Sequence, residues 1–166
     1  DGEAQVDAAI DPAAVRRGHA IHFLLQLLSE APETAAIALH RRLQGRLQGA
    51  VDETELDAWL ATARGVLAAR ALAPFFDPGR YARAWNEVPY SDGERGGTIG
   101  RLVDDGTTLW ILDYKTTPQT DAAALIARHG GQLRSYAAAL RRIWPQRALR
   151  TGLILTEARS LLELDA

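Results

Sequence analysis

The chain has 166 residues, 47% hydrophobic and 24% charged, with a formal net charge of −2. That balance suits one globular domain with a core of its own, and it leaves any nucleic-acid binding to local arginines such as Arg101, Arg128 and Arg134. The absence of cysteine excludes disulfides, thiolate zinc sites and iron–sulfur clusters, and no apolar run approaches the roughly 20 residues of a membrane span.

The sequence contains no Met, so residues 1–166 read as a single domain cut from a longer chain. No signal peptide is visible. Asp11-Pro12 is an N-cap followed by Pro at the first helical position. Ile21, Leu24, Leu25 and Leu28 recur at helical spacing, which predicts a first helix ending at Leu28. His22 falls on a mostly apolar stripe of it, one turn after Gly18; a lone His there is more often a core residue than a ligand. Ile37, Leu39, Leu43 and Leu47 predict a second helix to Gln48. Asp52 and Glu55 form a capping-box start for a third, which runs to Arg70. Pro74, Pro78 and Gly79 mark a loop.

From residue 81 the period changes from helical to alternating. Ala82 to Tyr90 reads as an edge strand that stops at Pro89. Gly97 to Val103 is a second strand and Thr107 to Lys115 a third. Asp105-Gly106 between them predicts a two-residue hairpin turn pairing Asp104 with Thr107. That register sets Gly100 opposite Ile111, one diagonal step from Asp113. Thr120-Asp121 caps a further helix, which Gly130-Gly131 is expected to interrupt and Pro145 ends. Leu149 to Thr156 is a fourth strand and Leu161 to Leu164 a short fifth. The order predicts an α/β or α+β fold, with a mixed central sheet of four to five strands packed by helices.

The stretch Trp110 to Thr116 carries the chemistry. Alternation puts Leu109, Ile111, Asp113 and Lys115 on one face and Trp110, Leu112 and Tyr114 on the other. An acid and a lysine thus stand side by side at a buried strand end. An isolated pair of this kind is most often a structural ion pair. The functional alternative is a carboxylate holding a metal beside a lysine that acts on substrate.

Taken in order, Arg17-Gly18 with Ile21-His22, Glu87-Val88-Pro89, Gly97-x-Ile99-Gly100-Arg101, Leu112-Asp113-Tyr114-Lys115-Thr116 and Gln132-Leu133 with Tyr136 resemble the RecB-type nuclease domain of the PD-(D/E)XK superfamily. The likeness is greatest to the C-terminal domain of AddA- or RecB-type helicase–nuclease subunits of bacteria. It implies a restriction-endonuclease-like core with N-terminal helices. It also implies a metal-dependent DNA nuclease that processes double-strand breaks. Such a domain would act on single-stranded DNA, beside a helicase domain in the same chain and an AddB- or RecC-like partner subunit, in the cytoplasm. His22 and Asp113 match the metal ligands for Mg²⁺ or Mn²⁺, and Lys115 the lysine that acts on water and phosphate. Gln132 and Tyr136 match the helical motif lining the site. Glu87 matches a recurrent acid placed at the rim, and His129 stands where the family often has an aromatic.

Physical chemistry agrees with that assignment. Phosphodiester hydrolysis needs a hard cation to polarise a phosphate oxygen and lower the pKa of a bound water. Mg²⁺ prefers carboxylate oxygens and keeps several waters. The chain departs from the pattern at one place. The family has Asp in the second strand where this sequence has Gly100, so one metal carboxylate is missing. The expectation is weak metal binding and slow cutting. A nuclease-like module that guides a strand or docks a partner is the alternative from a different functional class.

Overall fold

The computed structural model describes residues 11–91 and 96–164. Asp11 caps α1 (Pro12–Glu30) by accepting the Ala13 amide at 2.9 Å. It is followed by α2 (Ala36–Leu47) and α3 (Glu53–Leu67), the latter opened by the Asp52–Glu55 capping box that the sequence predicts. The Pro74 region differs from the expected loop. A 3-10 turn (Arg70–Leu72) runs into a single helical turn, α4 (Ala73–Phe76). Leu72, Phe75 and Phe76 are buried there, and that burial outweighs the prolines, since Pro is tolerated in a first helical turn.

Five strands follow in order across one mixed sheet: β1 (Arg83–Ser91), β2 (Gly96–Asp104), β3 (Thr108–Lys115), β4 (Ala148–Leu155) and β5 (Ser160–Leu164). All neighbouring pairs are antiparallel except β3 and β4, which are parallel and joined through α5 (Ala122–Ile143). β1 is an edge strand, as expected, but it continues past Pro89 to Ser91. A proline costs no ladder bond where its missing N–H faces outward from an edge. The predicted break at Gly130-Gly131 does not occur either. Gly130 is buried in an unbroken helix, where a Cβ would lie 3.0 Å from Arg134 Nη1 and 3.4 Å from Leu164 Cδ2, so the glycine packs within α5 and against β5 rather than ending the helix.

The β2–β3 connection corrects the sequence reading. Asp104 pairs with Leu109, not Thr107, and the turn is longer than two residues. Asp105 holds it, accepting from the amides of Thr107 and Thr108 at 2.9 and 2.7 Å and from Thr107 Oγ1 at 2.8 Å. The whole register shifts by two residues as a result. Faces are preserved under such a shift, so the alternation predicted for β3 survives.

Two apolar layers sandwich the sheet. Leu112, Tyr114, Val103 and Ile154 join α1, α2 and α3 on one face. Leu109, Ile111, Leu102, Leu153 and Leu155 join α5 on the other. Among the described residues no helix is long and apolar enough to cross a membrane.

Candidate active site

The sheet forks at the site. The β2–β3 register ends at Arg101↔Leu112, whereas β1–β2 pairing continues to Gly96 and β3–β4 pairing to Lys115. Gly100 and Asp113 are the first residues beyond the last pair, one on each prong. Separated strands leave backbone groups that need other partners. One of them, the Thr98 carbonyl, accepts from Tyr136 Oη of α5 at 3.1 Å.

Asp113 and Lys115 form the ion pair that their spacing predicts, Oδ2 to Nζ at 2.8 Å, with both side chains largely shielded from water. Asp113 Oδ1 accepts the Tyr114 amide at 2.9 Å. Thr156, buried at the end of β4, donates its amide to the Lys115 carbonyl at 3.1 Å and its hydroxyl to Thr116 Oγ1 at 3.0 Å. These bonds fix the prong that carries the pair.

His22 approaches from α1. Its ring lies 5.3 Å from that of Tyr114, centroid to centroid. Burial drives its pKa down to about 4, with Asp113 pulling upward and Lys115 and His19 pushing further down. The imidazole is therefore neutral near pH 7, and its Nε2 is buried with no hydrogen-bond partner. A neutral imidazole with a free buried nitrogen is poised to ligate a cation. With the Asp113 carboxylate it fits a hard divalent ion that retains much of its water. Among the described residues, no group of three His, Asp or Glu is gathered closely enough to hold an ion as it stands.

Glu87 lines an open cleft of about 770 Å³ together with His22, His19, Gln26, Arg16 and Arg46. Burial raises its pKa, Arg46 opposes that and Asp113 adds to it. A second cleft, of about 480 Å³, is lined by Lys115, Thr116, Arg128 and His129. His129 has a lowered pKa through burial and then the Lys115 and Arg128 charges. Val15 of α1 borders both clefts.

Tyr136 is buried, and its hydroxyl pKa is pushed up to about 12 by burial and by the Asp113 charge. It stays protonated and can donate. Gln132 is exposed and donates from Nε2 to Tyr136 Oη. Position 100 contributes no side chain. A Cβ placed there would lie 3.3 Å from Tyr114 Cδ2 and 3.5 Å from the Leu112 carbonyl oxygen.

Sequence reasoning missed Arg16 and Arg46 in the His22 cleft and Tyr90, whose ring meets that of Tyr136 edge-on at 4.8 Å. It also placed Arg101 among residues available to DNA. Arg101 is 2% exposed and belongs to the core.

The PD-(D/E)XK nuclease superfamily model matches residues 3–162. The chain belongs to this superfamily. It is 29% identical to an ATP-dependent helicase/nuclease subunit of Lacticaseibacillus casei and 28% identical to the subunit of the same name from Lacticaseibacillus paracasei. In both comparisons 98% of this chain and 14% of the relative are covered, so the chain spans about a seventh of those relatives' length. Among solved structures, a Vibrio cholerae protein aligns over 87% of this chain and 43% of its own, with 14% identity and a TM-score of 0.35. The five-stranded mixed sheet with its N-terminal helices is consistent with the restriction-endonuclease-like arrangement of the superfamily.

Proposed function

We propose that this domain is the metal-dependent nuclease part of a bacterial, cytoplasmic ATP-dependent helicase–nuclease. It hydrolyses phosphodiester bonds in single-stranded DNA during double-strand-break processing and recombinational repair. It works with a helicase domain in the same longer chain and with an AddB- or RecC-like partner subunit. One observation carries the reading: a shielded Asp113–Lys115 pair at a fork in the sheet, electrostatically coupled to a neutral His22 with a free buried nitrogen.

Asp113 and His22 are the residues that would hold Mg²⁺ or Mn²⁺. When bound, the ion supplies charge for the phosphate and acidifies a water. Lys115 offsets charge on the phosphate and orients the attacking water, as a cation held at a shielded strand end can. Tyr136, which donates to the Thr98 carbonyl and accepts from Gln132, braces β2 against α5 beside the site. Arg16, Arg46 and Arg128 line the clefts that border α1 and attract the backbone.

A second reading, a strand-guiding module without catalysis, draws on Gly100 and on the lack of a gathered three-donor group among the described residues. A labelled single strand incubated with Mn²⁺ separates the two. Cutting that disappears in Asp113→Asn and Lys115→Ala supports the nuclease. Binding without cutting by the parent supports the guide, and cutting that survives Lys115→Ala refutes the chemical role assigned to the lysine.

A further inference from the structure

β1 and β2 both change face at one place. On β1, Ala84 packs with the α1 layer and Asn86 donates to Ser29 and Glu30 of α1 at 3.0 and 2.9 Å. Val88, two residues on, packs with the α5 layer. Regular alternation would keep residues 86 and 88 on one face. On β2 the same switch separates Arg101, which donates to Phe75 O of α4, from Ile99 in the α5 layer. The pairs Asn86↔Arg101 and Val88↔Ile99 bracket the switch. Glu87 and Gly100 are the residues between, across from each other.

Glu87 has φ 48°. A non-glycine residue in the left-handed region is uncommon, and such residues collect at functional sites, held by their surroundings. The backbone reversal there leaves Glu87 lining the His22 cleft. Opposite it, a Cβ at position 100 would lie 3.3 Å from Tyr114 Cδ2, a tight contact that a small shift of the ring relieves. The Tyr114 ring is in turn set between His22 and Phe76, at centroid distances of 5.3 and 6.4 Å.

We propose that Glu87 supplies the metal carboxylate that position 100 lacks, so that the ligand set for Mg²⁺ or Mn²⁺ is His22, Asp113 and Glu87. The inference rests on the nuclease reading above. The carboxylate then comes from β1, from the residue that the flanking pairs set across from position 100. The three donors are not gathered closely enough to hold an ion as they stand, so Glu87 completes the set by rotation of its flexible side chain, directly or through a retained water, as Mg²⁺ sites commonly allow.

The test is Mn²⁺ calorimetry on the 166-residue chain, with a thermal melt of each metal-free variant as the folding control. Glu87→Gln should weaken Mn²⁺ binding by roughly 10–100-fold without moving the melt. Glu87→Gly, free of left-handed strain, should melt higher and bind Mn²⁺ as poorly as Glu87→Gln. Gly100→Asp placed in the Glu87→Gln chain should recover the affinity. If Glu87→Gln binds like the parent while Asp113→Asn fails to bind, the Glu87 assignment falls and the nuclease reading stands. If the parent does not bind Mn²⁺, or Asp113→Asn binds it equally well, both fall together.

Discussion

The Tyr114 ring fills the space beside Gly100: a Cβ at position 100 would lie 3.3 Å from Tyr114 Cδ2. The ring is fully buried, and its hydroxyl has no hydrogen-bond partner. Burial pushes that hydroxyl's pKa well above the usual phenol range, so it stays protonated. A buried unpartnered hydroxyl destabilises the fold that carries it. Tyr114→Phe is expected to stabilise the metal-free chain by about 1 kcal/mol, read as a higher urea midpoint at unchanged slope. A lower midpoint would mean that the hydroxyl is bonded after all.

Arg101 shows how a charge can be structural. Its guanidinium donates to Phe75 O at 2.8 Å and Asn86 Oδ1 at 2.7 Å, and lies 4.8 Å from the Phe76 ring centroid. These partners are neutral oxygens and an aromatic face, arranged for a planar fork. A lysine cannot serve several of them at once. Arg101→Lys should therefore destabilise by about 3 kcal/mol, and denaturant unfolding would show it. A change below ~1 kcal/mol would mean that lysine satisfies the same groups.

The fate of Arg101 also shows what was legible in the sequence. Helix starts were, because Asp11, Asp52 and Asp121 cap by local bonds that leave a local signature. The faces of β3 were, because alternation is a property of the strand itself. The Asp113–Lys115 pair and the inward His22 followed from those two periods. The turn was not legible: Asp105 gathers amide and hydroxyl donors from Thr107 and Thr108, and this wider turn overrides the Asp-Gly preference. Nor was the face switch at Glu87 and Gly100, which depends on paired strands bending together. Arg101 was misjudged because a strand residue before a switch has no periodic sign of which layer it enters.

DNA affinity should come from cleft arginines rather than from net charge. Arg46 borders the His22 cleft and Arg128 the Lys115 cleft. Arg46→Ala and Arg128→Ala should each weaken single-stranded DNA binding and reduce the salt slope by about 1. Fluorescence anisotropy at several salt concentrations measures this. An unchanged slope in both variants would place the strand elsewhere.

Asp105 gives a pH signature of the turn. Burial nudges its carboxyl upward, but hydrogen bonds from Thr108, Thr107 and Trp110 outweigh this and hold the pKa at about 2, against an ordinary 3.8. The folded state therefore favours the carboxylate, and the stability this gives is complete above 3.8. It is lost as pH falls from there toward 2, where the folded-state group protonates too. The side chain is exposed, so the effect is worth only about 0.5 kcal/mol. The difference in urea midpoint between the parent and Asp105→Asn should be largest at about pH 5 and shrink toward about pH 2. A constant difference would show that the charge is irrelevant to the turn.

Position 100 separates metal binding from cutting. In the Glu87→Gln chain, Gly100→Asp should raise Mn²⁺ affinity by roughly the 10–100-fold expected for restoring a ligand shell, and cutting of a labelled single strand should return with it. In the parent the same change should gain less, because Glu87 already supplies a carboxylate and because Tyr114 must shift by a few tenths of an ångström to admit the new side chain. Adding Lys115→Ala to the Glu87→Gln, Gly100→Asp chain should leave Mn²⁺ binding in place and remove the cutting, since the role proposed for Lys115 is on water and phosphate and not on the ion. Removing the lysine also frees the Asp113 oxygen it occupies at 2.8 Å, so the affinity is expected to hold or rise. Calorimetry and a gel assay on each variant read the two properties separately. If Lys115→Ala lowers Mn²⁺ affinity and cutting together, the lysine holds the site in shape and its chemical role is wrong.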